Sequence, residues 1–290
     1  MIKDVAHAKI INVGPRTLVR DLGRSGYASV GIPTSGPLDS RAFNWNNHLL
    51  KNQESDAQIE INQPGLKILF ESDTWICLAG AKADTRINSQ SGKKNGLIRV
   101  LSGDVLSLGK FEKGSVLYLG ISGGFQSDKV LRSRSQFAGI TELDSLKKGN
   151  TLPYFTNNSS GLDKSFAKAK WNDSYLEYLS LRVYPGFDWS FEVERIVEKI
   201  FSSDLHVSTL RNTMAVQIQE EFPNKLESIP TAPVFPGTVQ LTQGGKIICL
   251  LSDAQVTGGY PRILQIHEDD LPILAQKKPN QKIRFSLLKD

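Results

Sequence analysis

The residues best equipped for chemistry lie together late in the chain, in Asp253-Ala254-Gln255-Val256-Thr257-Gly258-Gly259-Tyr260-Pro261. A carboxyl group, a side-chain amide and a hydroxyl are followed by two glycines with free backbone N–H groups and then by a phenol. Donors and acceptors in that order can hold a lactam, a urea-like amide or a carboxylate, and can stabilise charge developing on a carbonyl oxygen. Gln255, Gly258, Gly259 and Tyr260 are the candidate binding groups, with Asp253 and Thr257 beside them. The glycines permit positive φ or a close backbone approach. A plain β-turn between two strands accounts for the same residues.

A second cluster lies near the N-terminus, in Asp21-Leu22-Gly23-Arg24-Ser25-Gly26-Tyr27. Arg24 can clamp a carboxylate or phosphate in bidentate fashion, or can pair with Asp21 across a turn. The spacing is not that of a phosphate-binding P-loop. Ser35-Gly36-Pro37-Leu38-Asp39 leads into a helix whose N-terminal N–H groups favour an anion; Asp39 serves equally as an ordinary helix cap. Asn47 lies further along that helix and could face the same cavity. Glu60, in Gln58-Ile59-Glu60-Ile61, is an inward carboxylate on a strand that either pairs with an arginine or acts as a base. No serine–histidine–acid order and no activated cysteine is evident, which disfavours covalent acyl transfer.

These groups need elements to position them. Apolar or alternating runs predict short strands at Ala8 to Val13, Leu66 to Phe70, Thr74 to Ala79, Ile98 to Leu101, Val105 to Leu108 and Val116 to Ile121. The pattern resumes at Ser180 to Tyr184, Val239 to Thr242, Ile247 to Leu251, Arg262 to His267 and Lys282 to Leu288. Many short strands with frequent turn residues imply barrels or sandwiches. Helices are expected at Asp39 to Leu50, with Ala42, Trp45, Leu49 and Leu50 on one face, and at Ser190 to Ser202, with Val193, Ile196, Val197, Ile200 and Phe201 inward. Glu268 to Pro272 starts a short third helix. The polar stretch Asn157 to Asp173 reads as a linker or a mobile loop, dividing the chain into a lobe over residues 1–160 and a second over 174–290.

Composition narrows the function classes. Apolar residues make up 39% and charged residues 22%, as in soluble globular proteins. No apolar run approaches the roughly 20 residues that span a bilayer, and the first residues lack a secretory core, so a cytoplasmic protein without a membrane partner is expected. Net charge is +5, with basic and acidic residues interleaved, and no basic patch with aromatics suggests nucleic acid. The short basic pairs, such as Lys93-Lys94, read as solvated turns. Cys77 and Cys249 both lie in apolar runs and read as buried reduced thiols. The four histidines are scattered without metal-ligand spacing, so no metal is expected.

Taken together, Thr17 to Tyr27, Gly31 to Asp39 and Asp253 to Pro261 resemble the family of allophanate hydrolase subunit 2, the biotin-dependent carboxyltransferase-like proteins. Further matching pieces are Asn47 to Asn52, Ala57 to Glu60, Ser122-Gly123-Gly124, Val130-Leu131 with Ser133-Arg134-Ser135, Pro236 to Gln240, and Asp270 with Gln276. The resemblance implies a mainly β fold of two cyclophilin-like β-barrel lobes with a few short helices. It implies one component of an ATP-dependent 5-oxoprolinase complex that opens 5-oxo-L-proline to L-glutamate, with A-like and B-like subunits as partners, the latter of similar fold supplying the other wall of the site. Two alternatives go with it: a non-catalytic regulator that binds a kinase-inhibitor partner, and a urea carboxylase-type carboxyltransferase component.

On this resemblance Arg24 or backbone amides hold the substrate carboxylate, Asp253 and Thr257 orient polar groups in catalysis, and Ser35, Asp39, Asn47 and Glu60 line the substrate side. ATP is the implied cofactor, held by this chain or by a partner; no covalent biotin is expected, because the biotinylation signal is missing. Four places depart from the family pattern. Thr213-Met214-Ala215 replaces Arg-Met-Gly after Asn212, and Thr231-Ala232 replaces Ser-Glu. Arg132 stands at a usual glycine, and Asn280 follows Pro279 where glycine is usual, a position asparagine can fill in a left-handed turn.

Overall fold

The computed structural model of the chain describes residues 4–92, 95–157 and 171–288. It is mainly β, with 41% strand against 14% helix. The heart of the expected linker, residues 158–170, and the basic pair Lys93-Lys94 lie outside the described residues. The chain forms two compact units, one of Met1–Arg24 with Ser35–Asp173 and one of Ser25–Thr34 with Ser174–Asp290.

The first unit holds β1 (Val5–Asn12), β2 (Thr17–Arg20), α1 (Ser40–Leu50), β3 (Gln58–Ile61), β4 (Lys67–Phe70), β5 (Thr74–Ile87), β6 (Gln90–Ser91), β7 (Gly96–Val100), β8 (Val105–Ile121) and β9 (Thr151–Phe155). They build a nine-stranded sheet in the order β2-β3-β8-β4-β1-β9, with β5 joining β8 to β6 and β7. Two predicted strands merge in β8, because the charged stretch between them stays paired with β5 while its lysines and glutamate face solvent. The core gathers Ile59, Ile68, Phe70, Leu78, Leu117, Leu119 and Phe125. α1 packs close to β8 at Gly120, where a Cβ would stand 2.9 Å from Leu50 and 3.1 Å from Asn46.

Asp39 caps α1, its Oδ1 accepting from the Ala42 N–H at 3.0 Å. The helix buries a different face from the one its apolar residues suggest. Ala42, Phe43, Asn46, Asn47 and Leu50 point inward, while Trp45 and Leu49 are half-buried. Two asparagines can face the core because their amide N–H groups find acceptors there, as the next subsection describes.

The second unit holds β10 (Ser180–Pro185), α2 (Phe191–Phe201), β11 (Leu205–Arg211), β12 (Ala215–Glu221), β13 (Ala232–Pro233), β14 (Thr238–Leu241), β15 (Lys246–Leu250), β16 (Thr257–Gly258), β17 (Arg262–Ile266), α3 (Leu271–Gln276) and β18 (Lys282–Leu287). Seven strands close a barrel in the order β10-β17-β14-β15-β12-β11-β18, sealed by a parallel pairing of β10 with β18. Val183, Val207, Val216, Val239, Ile247, Cys249 and Ile283 are fully buried. α2 has Ser190 as its cap and buries Val193, Val197 and Ile200, matching the predicted stripe. The small β13–β16 ribbon pairs Ala232 with Gly258 and Pro233 with Thr257.

Candidate binding site

In the first unit a polar network lies inside the fold. Arg20 and Glu60 are wholly buried, with the Arg20 Nε 3.7 Å from Glu60 Oε1. Glu60 Oε2 accepts from the Leu38 N–H at 3.0 Å and from the Tyr118 hydroxyl; Oε1 accepts from the Asn62 amide at 3.1 Å. Burial first, and then the Glu60 charge, push the Tyr118 phenol well above its ordinary value, so it stays protonated and donates. The Asp39 N–H donates to the same phenolic oxygen at 3.2 Å. Glu60 thus fixes the entry to α1, the arrangement of a structural carboxylate.

The other candidates of this unit border the same network. Arg20 Nη1 donates to the carbonyls of Ser35 at 3.3 Å and Gln136 at 3.1 Å. Ser35 is buried with φ 54°, and its Oγ meets no hydrogen-bonding partner among the described residues. Arg24 is also buried and donates to the Ser135 carbonyl. Asp21 accepts from the Ser133 and Ser135 hydroxyls, from the Arg134 N–H and, across its own turn, from the Gly23 N–H at 2.8 Å. Asn46 donates to the Gln58 side chain at 2.9 Å and to the Tyr118 carbonyl at 3.1 Å. Asn47 lies apart: its amide holds the turn at Glu54 and Asp56 through their carbonyls, both at 3.1 Å. Arg24, Ser35, Asp39 and Glu60 therefore share one buried polar region, and Asn47 anchors the far end of α1.

The second unit contains an open cavity of about 380 Å³. One wall is the 252–257 segment, including Ser252, Gln255 and Thr257. A second is the 233–236 segment, where Val234 and Phe235 lie between two prolines. The third is Ala28, Ser29, Ile32, Pro33 and Thr34, from the N-terminal strap that belongs to this unit. Ile32, Pro33, Val234 and Phe235 make the walls largely apolar, and every polar side chain on them is a hydroxyl or an amide. The Ser252 Oγ is buried without a hydrogen-bonding partner among the described residues. A buried hydroxyl left that way costs about 1–3 kcal/mol.

Of the predicted residues in this unit, Gln255 and Thr257 line the cavity. Asp253 is buried between two lining residues, and its N–H donates to the Thr213 carbonyl at 3.1 Å. Tyr260 is 42% exposed, and its carbonyl accepts from the Gln240 amide at 3.4 Å. Gly258 and Gly259 do not use positive φ. Gly258 serves close approach instead: a Cβ there would stand 2.6 Å from the Gln240 Nε2. Sequence reasoning missed Ser252 and the strap over residues 28–34 as cavity walls. The strap's own turn signals, Gly26 and Gly31 around a 3-10 turn at Ala28–Val30, mark a loop but do not say which unit it joins.

The departures from the family pattern have clear local roles. Arg132 and Asn280 both adopt φ 66°, the left-handed region that glycine fills at least cost. Asn212 Oδ1 accepts from the Met214 and Ala215 N–H groups at 2.8 and 3.0 Å. That turn supports the start of the 251–258 segment, the Met214 carbonyl accepting from the Leu251 N–H and the Thr213 carbonyl from the Asp253 N–H, and Ala232 pairs with its end at Gly258. No helix among the described residues is long and apolar enough to cross a membrane. Among the same residues, no three His, Cys, Asp or Glu gather as a metal site.

A two-unit β protein with one closed barrel and a neutral cavity beside it matches a known family. Residues 30–287 fit the carboxyltransferase domain, subdomain A and B, and the chain belongs to that family. It is 31% identical over 285 residues to the C subunit of 5-oxoprolinase from Escherichia coli (strain K12), covering 96% of this chain and 90% of that one. It is 37% identical over 131 residues to urea amidolyase of Lachancea kluyveri, covering 45% of this chain and 7% of the relative. Among solved structures, the Kluyveromyces lactis urea amidolyase superimposes with a TM-score of 0.83 at 25% identity, covering all of this chain and 19% of that one.

Proposed function

We propose that this chain is the C subunit of an ATP-dependent 5-oxoprolinase, acting in the cytoplasm with A-like and B-like subunits as partners. The observation that carries this is the nearly end-to-end sequence match to the Escherichia coli protein, where the sequence match to Lachancea kluyveri urea amidolyase covers 45% of this chain. The reaction adds water across the lactam C–N bond of 5-oxo-L-proline, giving L-glutamate, while ATP becomes ADP and phosphate. An unstrained amide is a poor electrophile. Phosphorylation of its carbonyl oxygen makes the carbon electrophilic; one water attacks it, the C–N bond breaks with the ring nitrogen leaving as the amine, and a second water hydrolyses the resulting acyl phosphate to L-glutamate and phosphate. Gln255 and Thr257 then bind the substrate from this chain's cavity, and ATP is held with the help of a partner. Arg24 and Asp253, both buried, act by holding the loops on which binding residues stand.

The test is reconstitution with the two partner subunits, 5-oxo-L-proline and ATP, with glutamate as readout. Glutamate release that needs this chain supports the assignment. ATP-independent release, or unchanged release when the chain is omitted, overturns it. One observation favours a second reading, that of a non-catalytic regulator binding a partner of similar fold. Both loop departures, at Asn212 to Ala215 and at Thr231-Ala232, border the 253–258 segment. Tight partner binding without turnover is the result that reading expects. A urea carboxylase-type component would instead require carboxybiotin delivered by another domain.

A further inference from the structure

We propose that the cavity of the second unit takes the uncharged amide edge of the lactam, and that a partner subunit holds the carboxylate and phosphates. This rests on the assignment of the chain to a 5-oxoprolinase complex. The cavity walls carry the hydroxyls of Ser29, Thr34, Ser252 and Thr257 and the amide of Gln255, and no side chain with a charge. An anion moved out of water needs a cation or several aligned donors, because the desolvation cost otherwise exceeds the attraction.

The arginine beside the 233–236 wall is already committed elsewhere. Arg262, whose Nη1 donates to the Pro233 carbonyl at 3.0 Å, is already paired with Asp188 through hydrogen bonds of 2.8 and 3.0 Å. A lactam edge presents one N–H donor and one carbonyl acceptor. A hydroxyl can serve either, and the buried Ser252 Oγ has its hydrogen-bonding capacity unused among the described residues. The apolar faces of Ile32, Pro33, Val234 and Phe235 suit the ring carbons. Ser252 is therefore the specificity-determining residue for the amide, and discrimination of the acid lies outside this chain.

The full-length chain without partners is titrated with 2-pyrrolidinone and with 5-oxo-L-proline, followed by calorimetry and by amide chemical shifts. The expected result is comparable affinity, within about threefold, with shifts at Ser252, Gln255 and Thr257 and no competition from inorganic phosphate. Ser252→Ala weakens both ligands by about 3–10-fold. Gln255→Lys introduces the missing cation and makes 5-oxo-L-proline the better ligand by about threefold. Wild-type binding of the acid more than about tenfold tighter than the lactam overturns the proposal. So does a failure of either lactam to bind, or an unchanged affinity in Ser252→Ala. These readouts use no turnover, so a reconstituted complex that releases no glutamate would sink the functional assignment while leaving the binding result to be judged separately.

Discussion

Glu60 shows how a single residue type can be read two ways. As a base it would need an accessible oxygen; in the fold both of its oxygens accept hydrogen bonds and Arg20 lies beside it. Removing one partner of such a buried pair costs about 3–5 kcal/mol. Glu60→Ala is therefore expected to lower the urea midpoint strongly, with Tyr118→Phe milder. A Glu60 variant with unchanged stability and lost activity in the reconstituted complex would return the residue to a catalytic role. Asn280 offers a second test. Its left-handed backbone predicts that Asn280→Gly is well tolerated and that Asn280→Val costs about 1–2 kcal/mol by denaturant titration, beyond the lost Gln219 hydrogen bond.

At the level of elements, caps and ion pairs hold the loops in place. Asp39→Ala removes the α1 cap and is expected to cost about 1 kcal/mol, more than a surface alanine elsewhere on that helix. Arg262 hydrogen bonds hold the Asp188 carboxyl below its usual value. Burial alone would raise Asp270, but the hydrogen bonds and charge of Arg182, with the charge of His267, outweigh it and keep that carboxyl low as well. Groups depressed in the fold contribute stability above their ordinary value of 3.8 and lose it as pH falls through the depressed one. Thermal unfolding should therefore occur more readily below about pH 4, and Asp188→Asn with Asp270→Asn should flatten that slope. The sequence announced α1 and α2 through their caps. It concealed β2, because Thr17 and Arg20 are polar residues buried in a strand and break the expected alternation, whereas β3 is legible around Glu60 as an inward carboxylate on a strand.

For the molecule as a whole, the two cysteines report on the two units separately: Cys77 lies in β5 of the first and Cys249 in β15 of the second. Burial pushes both thiols up to about 12. Neither is expected to react with a thiol reagent at about pH 8 until its unit opens, and single-cysteine variants would time each opening. A native-state reaction as fast as that of free cysteine would contradict the burial. Because both values are raised, their contribution is present below the ordinary 9.0 and is lost as pH climbs towards 12, so alkaline stability should fall over that range.

Local sequence determined what local physics controls: most strands from apolar runs, the helix starts from Asp39 and Ser190, the buried thiols, the left-handed Asn280, and Gln255 with Thr257 as binding candidates. Tertiary structure decided which distant segments meet. Residues 25–34 fold with the C-terminal barrel and wall the same cavity as Ser252, whose buried hydroxyl has no hydrogen-bonding partner among the described residues. Gly258 leaves room for a passing Gln240 amide. Periodicity and capping act over a few residues and leave a trace in the chain. Closure of a barrel and the placing of a strap depend on pairings between segments far apart in sequence, and no short pattern encodes them.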